Sequence, residues 1–90
     1  MGATVKILPY LQYQTGGKTA VEVEGATVAE CLEDLVRQFP GLRTVLFNDS
    51  GGLLDYVDVY VNAESSYHEG LIKPVRDGDE LLVVLLIAGG

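Results

Sequence analysis

One stretch of this chain, "TVAECLEDLVRQF" at 27–39, repeats its apolar residues at helical spacing. Val28, Cys31, Leu32, Leu35, Val36 and Phe39 form a single stripe. Thr27 stands where an N-cap belongs, and Glu30 three residues on completes a capping box. Glu33 and Arg37 make a favourable pair one turn apart on the wet side, and Pro40-Gly41 stops the helix. No other long stretch carries this period. One helix can cover one face of a sheet, so the other face must lie open.

The remaining segments supply that sheet. In "TVKILPYL", Val5 and Ile7 alternate against Thr4 and Lys6 until Pro9, which has no backbone donor, ends or bulges the strand. Gly16-Gly17 in "QTGGK" can take the positive φ of a hairpin turn. "TAVEVEG" returns with Val21 and Val23 inward and Glu22 and Glu24 to water. After the helix come a short turn around "LRTVLF" and the glycine-bearing loop "NDSGG". In "YVDVYVN", Val57, Val59 and Val61 share one face and Tyr56, Asp58 and Tyr60 the other. "AESSYHEGLIKP" reads as a short strand or turn with Leu71 and Ile72 as anchors, and "RDGDE" as a turn.

The last strand, Glu80 to Ile87, does not alternate, which suits a central strand, or one half covered by the helix and half by something else. Leu81, Val83, Leu85 and Ile87 lie on one of its faces, and Leu82, Val84 and Leu86 on the other. One set packs on the helix. The other is an apolar patch on the open face, and such patches on small proteins mark binding sites. The pattern alone does not say which set is covered; Leu82, Val84 and Leu86 are the candidate partner-binding residues. The expected fold class is α+β, a roll with a mixed four- to five-stranded sheet packed on one main helix.

Composition narrows the function. Ninety residues, 48% of them apolar, make one domain, 1–90, with a modest core. Thirteen acidic against six basic residues give a net charge of −7, which repels a polyphosphate backbone and argues against nucleic acid. The longest apolar run is far too short to span a membrane, and the opening "MGATVKILPY" lacks the apolar core of a secretion signal. A single cysteine forms no internal disulfide, and the expected compartment is the cytoplasm.

Enzyme chemistry finds little support. Cys31 lies on the apolar stripe, where a free cysteine behaves as a small hydrophobe. His68 has no second histidine or serine partner to orient it. Asp49, Asp55, Asp77, Asp79 and Glu80 do not have calcium-loop spacing, and neither glycine pair opens a helix as a phosphate loop does. The expectation is no catalytic constellation and no metal.

The end of the sequence, Ile87-Ala88-Gly89-Gly90, carries the sharper hypothesis. Glycine lets a backbone pass a channel where any Cβ would clash. Four extended residues reach roughly 13 Å, enough to carry the Gly90 carboxylate into another protein's active site. A carboxylate is a poor electrophile, so a partner must activate it, most simply as an acyl-adenylate.

With the opening hairpin, the capped helix, "VYVN" and "DGDELLVVLLIAGG", nearly the whole chain resembles the ubiquitin-like sulfur carriers, the MoaD and ThiS family with its β-grasp fold. "QTGGKTAVEV" and "VDVYVNAE" are most similar to the family members that serve cysteine synthesis. The resemblance implies a carrier that is not catalytic on its own. An E1-like adenylyltransferase would activate Gly90 with ATP and magnesium, a sulfur donor would convert it to a thiocarboxylate, and an acceptor enzyme would take the sulfide. Gly89 would keep the tail, 87–90, slim and flexible. No cofactor is implied on the carrier itself; the magnesium, and the zinc often held by the activating enzyme, belong to that partner. The acceptor would be a cysteine synthase-like enzyme or, if the chain is instead the small subunit of molybdopterin synthase, the large subunit of that enzyme. A protein modifier joined to target lysines through the same Gly90 is the third reading.

Overall fold

The computed structural model describes residues 2–86; the tail at 87–90, with Gly89 and Gly90, lies outside the described residues. Five strands form one mixed sheet: β1 (Ala3–Lys6), β2 (Ala20–Val23), β3 (Val57–Val61), β4 (Glu64–Ser65) and β5 (Glu80–Leu85), in the order β2-β1-β5-β3-β4. β5 is central, parallel to β1 and antiparallel to β3. Its unalternating sequence fits that place, because it is flanked on both edges and half-covered on its second face.

Helix α1 (Val28–Gln38) crosses one sheet face and buries Val28, Cys31, Leu32, Leu35 and Val36. They meet Ala3 and Val5 of β1, Val21 and Val23 of β2, the three valines of β3, and Leu81 and Val83 of β5 in one continuous core. Each valine or leucine among them contributes about 1.5–3 kcal/mol through burial. The cap is as the sequence predicts at Thr27, whose Oγ1 accepts the Glu30 N–H at 3.2 Å. Glu30 reaches one residue further back than a capping box requires and accepts the Ala26 N–H at 2.7 Å. Phe39 sits one residue past the helix, half-buried at the core's rim.

Several expectations need correction. Glu33 does not pair with Arg37: Arg37 takes Asp34 at 3.1 Å, and Glu33 takes Arg43 at 3.1 Å. Arg43 opens a one-turn helix, α2 (Arg43–Leu46), which brings it alongside α1. Ile72 is no anchor, being 77% exposed; a 3-10 turn at Gly70–Ile72 turns only Leu71 towards the core. The hairpin of β1 and β2 is real, and Gly16 and Gly17 take the expected positive φ, 66° and 88°, but its connection also carries a six-residue 3-10 helix, Pro9–Gln14. Leu11, Leu42, Leu46, Phe47 and Val75, from segments that looked like connections, fill the edges of the core. β5 ends at Leu85, two residues before the expected boundary.

Candidate functional site

The candidate site is the open face of β5 and its neighbours. Along β5, Leu81 and Val83 are buried under α1, and Leu85 packs partly on the same core. Leu82 and Val84 lie on the opposite face and are half-buried, while Leu86 is 51% exposed. The structure therefore puts the three candidate residues on the uncovered side.

Strand register assembles their surroundings. Leu82 is flanked by Lys6 of β1 and Tyr60 of β3, and Val84 stands opposite Asp58. Lys6 reaches Glu80 on the same face at 3.7 Å. Asp58 is fixed by the Ser65 hydroxyl, which donates at 2.7 Å, and by the Val59 N–H at 2.8 Å. Thr4 donates to Glu22 at 2.7 Å along the next row. An apolar centre of Leu82, Val84 and Tyr60 is thus rimmed by charges already held in place. Such a surface suits a partner with an apolar middle and a basic edge. Tyr60 belongs to this patch although it was not among the candidates; its place on the outer face of "YVDVYVN" was the available signal.

At the end of the strand, two hydrogen bonds hold the last described residues. The Leu86 N–H donates to the Tyr56 carbonyl at 2.6 Å, and the Leu85 N–H donates to the Tyr10 hydroxyl at 3.0 Å. At the other end, the "RDGDE" turn feeds β5. Gly78 takes φ +87°, the Arg76 N–H donates to Asp79 Oδ2, and Asp79 Oδ1 accepts from Asn62 Nδ2. The Arg76 backbone hydrogen bond, followed by that of Asn62, holds the Asp79 carboxyl below its usual range.

The other chemical candidates are kept apart. Burial, with Glu30 and Asp34 nearby, pushes the Cys31 thiol up to about 11, so it is protonated and enclosed. His68 is exposed, and its ring meets that of Tyr67 edge-on at 5.4 Å. Among the described residues no group of three His, Cys, Asp or Glu side chains could hold a metal ion. A shallow groove at the start of β5, lined by Asn62, Lys73, Pro74, Arg76 and Asp79, is polar, and Glu64 and Glu69 already neutralise its lysine. No helix among the described residues is long and apolar enough to cross a membrane.

Known proteins resemble this chain in both fold and sequence. The model of the ThiS family matches residues 5–90. The sulfur carrier protein CysO of Mycobacterium tuberculosis is 33% identical over 93 residues, with all of both chains covered. Small archaeal modifier protein 1 of Haloferax volcanii is 34% identical, covering 94% of this chain and 97% of its own. Among solved structures, the Amycolatopsis orientalis BexX/CysO complex matches at a TM-score of 0.90 and 37% identity, over 99% of this chain and 100% of that one. Mycobacterium tuberculosis CysO matches at 0.87 and 30% identity, over 96% and 100%. The mixed five-stranded roll on one main helix is the β-grasp fold of these proteins, and the chain belongs to the ThiS family of ubiquitin-like sulfur carriers.

Proposed function

We propose that this chain carries sulfur for cysteine biosynthesis as a thiocarboxylate on Gly90. It acts as a cosubstrate and performs no catalysis itself. An E1-like partner docks on the open face of β5 and takes the residues after Leu86 into its active site. There a Gly90 carboxylate oxygen attacks the α-phosphorus of ATP and pyrophosphate leaves. A sulfide-level nucleophile from the sulfur donor then displaces AMP, leaving the thiocarboxylate. The magnesium, and any zinc, are the partner's. Leu82, Val84 and Leu86 make the docking contact, while Ile87, Ala88 and Gly89 form the tether.

The observation that carries this reading is the apolar row of Leu82 and Val84 on the face of β5 that α1 does not cover, in the strand that precedes Ile87–Gly90 in the sequence. The end-to-end match with CysO supports the cysteine pathway over other uses of the fold. Intact mass spectrometry of protein purified from its own host tests it. The expected species is heavier by one oxygen-to-sulfur exchange at the C-terminus. Unmodified protein throughout, together with an intact pathway after deletion of Gly90, overturns the reading.

A second reading has its own support in the 34% identity to small archaeal modifier protein 1. On that reading Gly90 forms an isopeptide bond with a target lysine. The same preparation would then contain larger conjugates, and branched peptides ending in Gly-Gly would appear after proteolysis.

A further inference from the structure

Pairing between β1 and β5 runs only from Thr4–Glu80 to Lys6–Leu82. β1 then ends, and Pro9 starts the 3-10 helix, so β5 continues without a strand on that side. On the other side β3 stays with it to the Val57–Leu85 pair, and Tyr56 receives Leu86. Backbone donors alternate along a strand, so the Leu86 N–H points to β3 and the Leu85 N–H to the vacated edge. There the Tyr10 hydroxyl accepts it at 3.0 Å, across 75 residues of sequence. Tyr10 is the second residue of the 3-10 helix, and Pro9 before it holds φ where that helix needs it. Tyr10 is 42% exposed and lies outside the core, and the hydrogen bond ties it to the end of β5.

We propose that Tyr10 is a positioning residue: its hydroxyl stands in for the missing strand and sets where the sheet ends and the carrier's terminal segment begins. This rests on the sulfur-carrier reading, in which the partner must receive that segment from a fixed point. With the hydroxyl in place, Leu85 is held on one edge by Tyr10 and Leu86 on the other by Tyr56, and the docking residues Leu82 and Val84 lie at a constant distance from the departing chain. Without it, Leu85 keeps no partner on the β1 side. The strand end then opens more often, and the population ready to dock with its terminal segment correctly placed falls. Apparent affinity falls by that fraction, whereas turnover of the bound complex does not.

Tyr10→Phe tests this, since it removes one oxygen and keeps the ring. Amide hydrogen exchange on the full chain is expected to be faster at Leu85 by about threefold to tenfold, the worth of one neutral hydrogen bond. Val83 and Leu35, deep in the core, are expected to exchange as before. In steady-state adenylation by the cognate activating enzyme, KM for the carrier is expected to rise, by at most that factor and by less the more completely the strand end is closed in the parent, with kcat unchanged. Unchanged exchange at Leu85 overturns the assignment, and so does a loss of kcat with KM constant. Faster exchange throughout the core also overturns it, because Tyr10 would then be a general stabiliser. If the wild-type chain is not adenylated at all, the carrier reading fails, and the exchange at Leu85 alone decides whether Tyr10 ends the strand.

Discussion

The side chain of Asn62 is bound twice to the turn that opens β5: Nδ2 donates to Asp79 Oδ1 at 2.9 Å, and Oδ1 accepts the Glu80 N–H at 2.9 Å. The β3–β4 turn is thereby fastened to the DGD turn. Asp79 also accepts the Arg76 N–H and stays ionised below the usual carboxylate range. Its folded-state pKa is depressed, so its contribution to stability is complete above the ordinary carboxylate range. It is lost as pH falls through the lowered folded value. Asp79→Asn is therefore expected to lower Tm at neutral pH and to differ less from wild type under acid conditions. Thermal melts from pH 7 down to about pH 3 check this; a constant gap across that range would count against it.

Asn62 and Ala63 both have positive φ, 51° and 70°, in the two-residue turn that joins the Val61–Glu64 pair. Asparagine tolerates this conformation; alanine does so at a cost of about 1 kcal/mol. Ala63→Gly is expected to stabilise the protein by about 0.5 kcal/mol, the relief of strain being partly offset by the greater freedom of the unfolded chain. Urea denaturation gives the sign directly, and a destabilised variant would mean the turn is not strained.

The two faces of β5 differ in what truncation does. Val83 is buried under α1, and Val83→Ala is expected to cost about 2–3 kcal/mol. Leu82→Ala on the open face is expected to cost under about 1.5 kcal/mol, because the side chain is already partly wet. Partner binding should respond in the opposite order. Leu82→Ala is expected to weaken the carrier's association with its activating enzyme about tenfold in titration calorimetry, while folded Val83→Ala binds like the parent.

Cys31 is expected to be silent towards thiol reagents in the native state. Its thiol titrates near 11, and its side chain has no exposed surface. Modification by a chromogenic disulfide at pH 8 should proceed only as fast as the protein opens, and should become immediate in denaturant. Rapid native labelling would show that α1 is not seated as described.

Much of this was written in local patterns. The stripe from Val28 to Val36 and the alternation in β3 follow the two periodicities that sequence displays openly, and both were placed on the correct faces. Ile72 and Leu71 show the limit. They are adjacent apolar residues in an irregular segment, and only the 3-10 turn decides which one meets the core. The Glu33–Arg37 pairing failed for a similar reason, since Asp34 and Arg43 compete for the same charges and the packing of α2 settles the competition. Tyr10 was least legible. Its partner lies 75 residues away, and no local rule joins a tyrosine after a proline to the end of the last strand.

The central place of β5 has a mechanical consequence. A partner that draws on the chain beyond Leu86 pulls along the strand axis, and β5 is bonded on one side to β1 and on the other to β3. Such a load is borne in shear, by the β3 ladder along the strand and by the β1 ladder from Leu82 back, rather than by peeling an edge strand away bond by bond. A body loaded in this way resists unravelling. An edge strand in the same role would give way first at its outermost bond.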